Sequence, residues 1–463
     1  MSDIGALADA VYLSLQKPFM RFGRNIVTPR SPSVETLNAL FTSLFFASIK
    51  TEEGRSIQVR AFYIDPDDPD PDEPRRVRMD RWRVYNLSER FPFNVANIVK
   101  FAKAADPWSS GVAVFHDEAG ELFAWALVDQ ISAISMAFVR EGPPTYDPPG
   151  LFQCLVGGPA DISVYRRSSF VARLAQNTLL ISQNDCLGSG PVSERIDEWF
   201  SAIWEDVALA AGKRDLAHQR NYFRFLGKQM WTSTLCRILL NIQRQRHGGA
   251  ILFTNSGAVD LSPKYAVNYP RIGEALREIL YATIRSQAAH LELEFRRVNE
   301  DRKVSKRIHD KQILANAGRE DADAALTGAV RFISSMAGVD GLVLATSELS
   351  ILGFGVEITA KSDVQTIFVT NSPAVDDLKK IDVSHYGTRH RSMFRYISKH
   401  PGSLGFVVSQ DGDVRVVMSL DRQVVVFENL KLHALWDDDF QKLSDAMRSK
   451  KRIRRKRPND PPR

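Results

Sequence analysis

The sequence predicts a mixed α/β fold: an N-terminal region of strands and helices, a helical middle, and a C-terminal mixed β-sheet wrapped by helices. Two observations predict this class. Short alternating or continuous apolar runs typical of strands occur in the first and last parts of the chain. Long apolar stripes at helical spacing occur between them. The 463 residues are enough for two or three domains with cores of their own.

In the N-terminal region, "SIQVRAFYID" (56–65) alternates as a strand does, and 110–130 reads as a hairpin that turns at Glu118-Ala119-Gly120. Two stretches rich in Pro, 66–74 and 142–150, are predicted to be loops. The first is acidic, but it lacks the central Gly and the terminal Glu of a calcium-binding loop.

The middle, from 189 to 300, has mostly helical periodicity, interrupted by "GGAILF" (248–253), which is typical of a buried strand. The charged stretch 296–312 is interpreted as a solvated helix or a linker. A further helix is predicted over 321–339, with Asp321 as its N-cap. Strand-like runs, one embedded helix and a closing hairpin follow, and together they predict a compact C-terminal domain.

The net charge of +6 comes from the C-terminus. Residues 448–463 hold nine Lys or Arg against Asp460 alone, so the rest of the chain is close to neutral. We interpret 448–463 as a basic disordered tail that solubilises the chain or makes nonspecific contact with nucleic acid or an anionic surface. It has no interleaved aromatic residues with which to read bases.

Several classes of protein are disfavoured. No apolar run approaches the ~18 residues that a membrane-spanning helix needs, and the first residues lack the features of a signal peptide. The cysteines, Cys154, Cys186 and Cys236, are widely spaced, which favours neither a disulfide framework nor a CxxC metal site. A cytoplasmic protein is expected.

The segment "SHYGTRHRSMFRYISKHPG" (384–402) carries the strongest chemical signal. Gly387 allows close approach of a ligand, and Thr388 is a candidate N-cap for a short helix that ends near His400. Arg389 and Arg391 then crowd the positive end of the helix dipole, which favours a bound phosphate. The alternative is a solvated helix start whose arginines pair with surface carboxylates.

Asp340-Gly341 is the second signal. It stands between a predicted helix and a predicted buried strand, where a carboxylate is costly unless it binds a cation. Asp340 on Mg²⁺ or Mn²⁺ and the arginines on a triphosphate would form a metal–nucleotide site. The alternative is a tight helix-to-strand turn, which Asp-Gly also suits.

In this order, "DGLVLA", "GTRHR" and "LGFVVSQDGDVRVV" resemble the catalytic domain of the diadenylate cyclases over roughly 320–430. The resemblance implies that two such domains meet face to face, each holding ATP, and make cyclic di-AMP and two pyrophosphates. Asp340 would hold the metal and help activate the 3′-hydroxyl group. The residues implied to bind ATP are Gly341, Leu342, Gly387, Thr388, Arg389, His390, Arg391 and Ser409, and those implied in catalysis are Asp340, Arg389, His390 and Arg391.

The sequence departs from the pattern of the diadenylate cyclases at three places. Leu342 stands where the family has alanine, and Gln410-Asp411 replace two glutamates, so that a second acidic metal contact is reduced to Asp411. The 47 positions from Asp340 to Gly387 imply an insertion. An active divergent cyclase and a degenerate copy that binds ATP or a cyclic dinucleotide as a sensor both remain open.

The N-terminal part, with "FFASIKTEEGR", "ADPWSSGVAVF", "WALVDQ" and "PPGLFQCLVGG", resembles the sensor domain of the DACNV type that precedes some of these cyclases. The predicted organisation is a sensor or regulatory region (1–270), a helical linker (271–320), a cyclase-like domain (321–435) and the basic tail (448–463).

Overall fold

The computed structural model describes residues 2–17, 20–21, 24–25, 30–67, 82–107, 110–130, 149–166, 169–175, 177–216, 219–245, 247–255, 257, 259–299, 306–410 and 412–432. These residues form a mixed α/β protein, which confirms the predicted fold class. Two compact units divide between Gln183 and Asn184. Most of the loops predicted at 66–74 and 142–150, Asp411, and the whole basic tail lie outside the described residues.

The N-terminal unit is built on one mixed sheet. Its helices are α1 (Ser2–Leu15), α2 (Val34–Ser48) and α3 (Val95–Ala104). Its strands are β1 (Met20–Arg21), β2 (Arg24–Asn25), β3 (Thr51–Glu52), β4 (Arg55–Ser56), β5 (Val59–Tyr63), β6 (Trp82–Pro92), β7 (Ser110–His116), β8 (Leu122–Gln130), β9 (Phe152–Gly158), β10 (Asp161–Arg166), β11 (Ser169–Ala175) and β12 (Thr178–Leu180). Eight of them form a sheet in the order β12-β11-β10-β9-β5-β7-β8-β6.

The sequence pattern explains this sheet. The strand predicted at 56–65 is β5, which pairs in parallel with β7 and antiparallel with β9. The predicted hairpin is β7–β8, closed by a turn in which the Gly120 N–H donates to the Asp117 carbonyl. Helix α2 begins at Ser33, whose hydroxyl accepts from the Thr36 N–H. Its apolar stripe, with Leu37 and Phe41, packs into the core of this unit.

The C-terminal unit has a nine-stranded sheet covered by helices. Its helices are α4 (Gly190–Leu216), α5 (Arg220–Gln245), α6 (Arg271–Asn299), α7 (Lys306–Met336) and α8 (Thr388–Lys399). Its strands are β13 (Gly249–Phe253), β14 (Leu261–Tyr269), β15 (Leu342–Ala345), β16 (Ile351–Ile358), β17 (Thr366–Thr370), β18 (Lys379–Asp382), β19 (Leu404–Val408), β20 (Val414–Leu420) and β21 (Gln423–Phe427). The order of the strands in this sheet is β14-β16-β15-β13-β19-β20-β21-β17-β18.

Alternating side chains give this sheet two apolar faces. Ile251 and Phe406 belong to a core cluster with residues of α4 to α7, whereas Leu252 and Val407 belong to a second cluster with residues of α8. The inward positions predicted for the embedded helix, Met393, Phe394 and Ile397, are all fully buried. The sheet therefore lies between two helical layers, and α8 lies on one face of it.

Two boundaries differ from those predicted. Strands β13 and β14 belong to the second sheet, so its unit begins near residue 184 rather than after 270. The buried strand at 248–253 was predicted correctly, but its partners, β15 and β19, come much later in the chain. Asp321 is not an N-cap: α7 already begins at Lys306 and runs through that position, because the charged stretch before it continues the helix.

Candidate functional site

The first turn of α8 carries the charges that the sequence singled out. The N-cap is Gly387, not Thr388 as predicted, and Thr388 is the first helical residue. Because glycine has no side chain, no side-chain hydrogen bond caps the N–H groups of this turn. These donors, together with the helix dipole, favour a negative group at this end of the helix.

Arg389 lies against the start of β13. A Cβ atom placed on Gly248 would be 2.8 Å from Arg389 Nη1 and 3.0 Å from the Val408 carbonyl oxygen. Gly248 has a φ of +65°, which also favours glycine. Sequence reasoning missed Gly248, although the Gly-Gly pair before a buried strand was a usable signal. The guanidinium group thus lies near the end of β19.

Strand register brings the two predicted motifs to the same edge of the sheet. Strand β13 pairs Ile251 with Val343 of β15 on one side and Gly249 with Val408 of β19 on the other. Since neighbouring strands lie about 4.8 Å apart, the start of β15 and the end of β19 are about 10 Å apart. Asp340-Gly341 precedes β15 and Ser409 follows β19. The structure therefore places Asp340, Ser409 and the Arg389 guanidinium group at one sheet edge.

Asp340 itself is exposed, so the argument that burial makes its charge costly is wrong. The sequence alternative, a tight helix-to-strand turn, is what the backbone forms. Gly341 has a φ of +114°, and a Cβ atom there would be 2.6 Å from the carbonyl carbon of Gly355. Leu342 is 4% exposed and packs in the core cluster beneath α8, which accommodates the bulk that departs from the family pattern.

The hydroxyl of Ser409 is used by the turn that follows β19. It accepts from the Asp413 N–H at 3.0 Å, and the Ser409 N–H donates to the Asp413 carbonyl at 2.9 Å. Ser409 thus lies at the expected edge, but its side chain closes a turn. Asp411, the second predicted metal ligand, lies outside the described residues.

His390 is 8% exposed, and its Nε2 atom has no hydrogen-bond partner. Burial, reinforced by the positive charges of Arg415 and Arg389, lowers the pKa of His390 to about 4. The imidazole is therefore neutral at physiological pH. Its ring lies 5.5 Å from that of Tyr386.

The arginines of this turn have no acidic partners in the part of the chain that the structure describes. The Nε atom of Arg391 is buried without a hydrogen-bond partner. The alternative in which these guanidinium groups pair with surface carboxylates therefore has no support among the described residues. Unpaired guanidinium groups at a helix N-terminus match the hydrogen-bonding pattern of phosphate oxygens.

A cavity of about 650 Å³ opens beside the same turn, on the side of His390. It is lined by Lys380, Ile381, Asp382, His385, Tyr386, Gly387, His390, Arg415 and Glu428. Five of these residues, from Lys380 to Tyr386, belong to the insertion inferred before Gly387. The insertion forms β18 and the single 3₁₀ turn Val383–His385, which Tyr386 follows.

The wall of this cavity contains a polar network that the sequence did not predict. The Tyr386 hydroxyl and Arg415 Nε both donate to Glu428 Oε1 at 3.2 Å. The Arg415 guanidinium carbon lies 5.9 Å from the Tyr386 ring centroid. Burial, together with the charge of Glu428, raises the pKa of Tyr386 to about 12. One signal was present in the sequence: Arg415 interrupts the apolar alternation of β20 on the face that α8 covers.

The side chains at this edge suit a metal ion that is bound jointly by the protein and a nucleotide, rather than by protein side chains alone. Within the described residues, no group of three or more His, Cys, Asp or Glu side chains could hold a metal ion. A Mg²⁺ ion in a nucleotide site, however, is typically bound by one or two carboxylates together with the phosphates. The exposed carboxylate of Asp340 fits that role.

Comparison with known proteins identifies one part of the chain. Residues 27–129 match the family described as "Probable sensor domain DACNV", which confirms the resemblance to this sensor domain over those residues. No curated protein and no solved structure gives a significant match. None of the described helices is both long enough and apolar enough to span a membrane.

Proposed function

We propose that the protein is a diadenylate cyclase, which condenses two ATP into cyclic di-AMP and two pyrophosphates. One observation supports it most directly: Asp340, Ser409 and the guanidinium group of Arg389 lie at the same edge of the sheet. In addition, neither arginine of the turn has an acidic partner among the described residues. The matching sensor domain adds support, since the resemblance places domains of this type before diadenylate cyclases.

In this proposal, Thr388, Arg389, His390 and Arg391 bind the phosphates, and the backbone of Gly341 and Leu342 contacts the nucleotide. A Mg²⁺ or Mn²⁺ ion held by Asp340 would neutralise phosphate charge and acidify the attacking 3′-hydroxyl group. The remaining residues act by positioning and charge neutralisation, which are the main requirements of phosphoryl transfer. His390, being neutral, would contribute a hydrogen bond rather than a charge.

Each C-terminal unit holds only one nucleotide in this scheme, so the reaction needs two units face to face. The 3′-hydroxyl oxygen of each ATP attacks the α-phosphorus of the other, and the hydroxyl proton passes to water. The bond from each α-phosphorus to the oxygen that bridges it to the β-phosphorus breaks, and the electron pair leaves with pyrophosphate. The N-terminal unit, with its sensor domain, would regulate this assembly.

The second candidate is a cyclase-like domain that binds ATP or a cyclic dinucleotide without turning it over. Two observations favour it: the hydroxyl of Ser409 is occupied by a turn, and the described residues contain no group of three or more His, Cys, Asp or Glu side chains that could hold a metal ion. The two candidates make the same prediction for binding and opposite predictions for product.

The deciding experiment incubates the purified full chain with ATP and Mg²⁺ or Mn²⁺ and measures cyclic di-AMP by mass spectrometry. Asp340→Asn should abolish product while leaving the thermal unfolding temperature unchanged, because the side chain is exposed. Asp321→Asn is the matched control, an exposed aspartate on α7. ATP binding without product, in the wild type and with either metal, would favour the second candidate.

A further inference from the structure

The long helices α6 and α7 extend beyond the core of the C-terminal unit. Ile284 is the last residue of α6 in the main core cluster, and Ala322 is the first residue of α7 in it. Beyond these residues the two helices contact each other, for example through a hydrogen bond of 2.6 Å between the side chains of Ser286 and Asn316. A pair of helices buries only one stripe of each, so this part of the hairpin leaves apolar surface exposed.

A groove of about 700 Å³ lies along this part of the hairpin. It is lined by residues of Tyr281–Ala289 on α6 and of Lys306–Gly318 on α7, and we call it the hairpin groove. The lining residues of α7 recur at helical spacing over about 18 Å of helix. Leu314 lines the groove and is 72% exposed. Small residues beside it leave room for another helix to approach, namely Ala282, Ala289, Ala315 and Gly318.

The hairpin groove has a basic rim. Arg285, Lys306 and Arg307 are exposed and form no ion pair with any carboxylate among the described residues. Lys311 also lines the groove, but its ammonium group is already engaged by Glu292 at 2.6 Å. Three cationic side chains are therefore left to bind acidic groups.

A second copy of the hairpin does not complement this groove. Two copies would bring the same basic rims together, and Asp310 carries the only carboxylate among the described lining residues. The charge instead favours an acidic segment, and the apolar lining favours one that has an apolar stripe.

The segment "HALWDDDFQKLSDAM" (433–447), which lies outside the described residues, has both properties in its sequence. Four large apolar residues recur at helical spacing over about 17 Å of helix, namely Trp436, Phe440, Leu443 and Met447. The same segment has four aspartates against one lysine, namely Asp437, Asp438, Asp439 and Asp445 against Lys442. Its stripe is thus as long as the groove, and its charge is opposite.

The described chain ends on the side of the sheet where the hairpin lies. Leu432, which directly precedes the segment, is 5% exposed and belongs to the core cluster that contains residues of α4 to α7. The segment therefore starts from the face of the nine-stranded sheet that these helices cover.

We propose that residues 433–447 bind the hairpin groove as an amphipathic helix. The apolar stripe covers Leu314 and the small residues beside it, while the aspartates lie near Arg285, Lys306 and Arg307. This interaction does not depend on cyclase activity, so it can be tested on a chain that makes no cyclic di-AMP.

The test is disulfide cross-linking of the full chain. One variant carries Ala446→Cys with Gly318→Cys, and the matched control carries Ala446→Cys with Gly328→Cys. Gly318 and Gly328 are both exposed on α7 with nothing within 4 Å of their Cβ positions, but only Gly318 lines the groove. The native cysteines are buried.

Under mild oxidation the Gly318→Cys pair should form its disulfide about tenfold faster than the control pair, because binding in the groove raises the effective concentration of the two thiols. Peptide mapping by mass spectrometry identifies the bond. A link within one chain or between two copies would support the assignment, since both place the segment in the groove. Equal rates for the two pairs, or no link to Gly318→Cys, would overturn it.

A charge reversal tests the basic rim. Adding Arg285→Glu to the Gly318→Cys pair should slow the cross-link about threefold, as expected for a solvent-exposed ion pair. Arg319→Glu is the control, because Arg319 is exposed on α7 but does not line the groove. Equal slowing by both substitutions would show attraction to the net charge of the helix and would overturn the specific site.

Discussion

The Arg389 guanidinium group fills the space that a side chain on Gly248 would need: its Nη1 atom lies 2.8 Å from the position of a Cβ atom on Gly248. The contact joins the first turn of α8 to the start of β13. The side chain that lies there is one that the proposed function uses to bind phosphate.

Gly248→Ala should therefore displace the Arg389 guanidinium group and weaken ATP binding. We expect a loss of about tenfold in affinity, since a charge-assisted contact to phosphate is worth ~1.5–3 kcal/mol. The measurement is a titration of wild type, Gly248→Ala and the control variant Gly257→Ala with ATP. Gly257→Ala is the control, because Gly257 has the same φ of +65° but nothing within 4 Å of its Cβ position. Both variants share the strain of a positive φ, and Gly248→Ala adds a close approach to the Val408 carbonyl, so affinities are compared at a temperature where both variants are folded. Equal ATP affinities would contradict the role given to Gly248.

His390 should make the protein less stable as the pH falls. Its pKa is about 4 in the folded protein and 6.5 as the ordinary value, so between these the unfolded chain binds a proton that the folded chain does not. The difference amounts to a loss of about 3 kcal/mol in the free energy of unfolding between pH 7.5 and pH 4.

His390→Gln should remove this part of the pH dependence. Urea unfolding of both proteins without nucleotide, at several pH values in this window, measures it. Parallel stability curves for wild type and variant would show that the imidazole is not protected from protonation in the folded state.

Cyclase activity should depend on protein concentration. Because each C-terminal unit is proposed to hold one of the two nucleotides, the rate per mole of protein should rise with concentration and level off when dimerisation is complete. Initial rates of cyclic di-AMP formation, measured beside the molecular mass by light scattering, give both quantities. A constant specific activity from a species that scattering shows to be monomeric would contradict the face-to-face arrangement.

Local patterns predicted much of this fold, because strands and helices are encoded over a few residues. The β7–β8 hairpin, the buried strand at 249–253 and the inward face of α8 follow from alternation, a continuous apolar run and helical spacing. The placement of β13 between β15 and β19 did not follow, since pairing between strands far apart in sequence leaves no local signal. The start of α7 was missed because a charged stretch can continue a helix as well as end one.

The candidate site was likewise predicted where its signal is local and missed where it depends on long-range contacts. The sequence identified the Arg-His-Arg turn, because charge at a helix start is a local property. It misjudged Asp340, since exposure depends on how the turn projects from the sheet edge. The sequence could not predict the contact of Tyr386 and Arg415 with Glu428. This contact joins the residue before the N-cap of α8, strand β20 and the residue after β21.

The position of β13 in the nine-stranded sheet limits how the chain can be divided. A fragment that begins at residue 271 would retain both motifs of the proposed site but lack the strand that lies between them. The facing edges of β15 and β19 would then each present a row of unpaired backbone groups, which promotes aggregation. The smallest fragment expected to stay folded begins near residue 184, and an inactive shorter fragment would carry no information about catalysis.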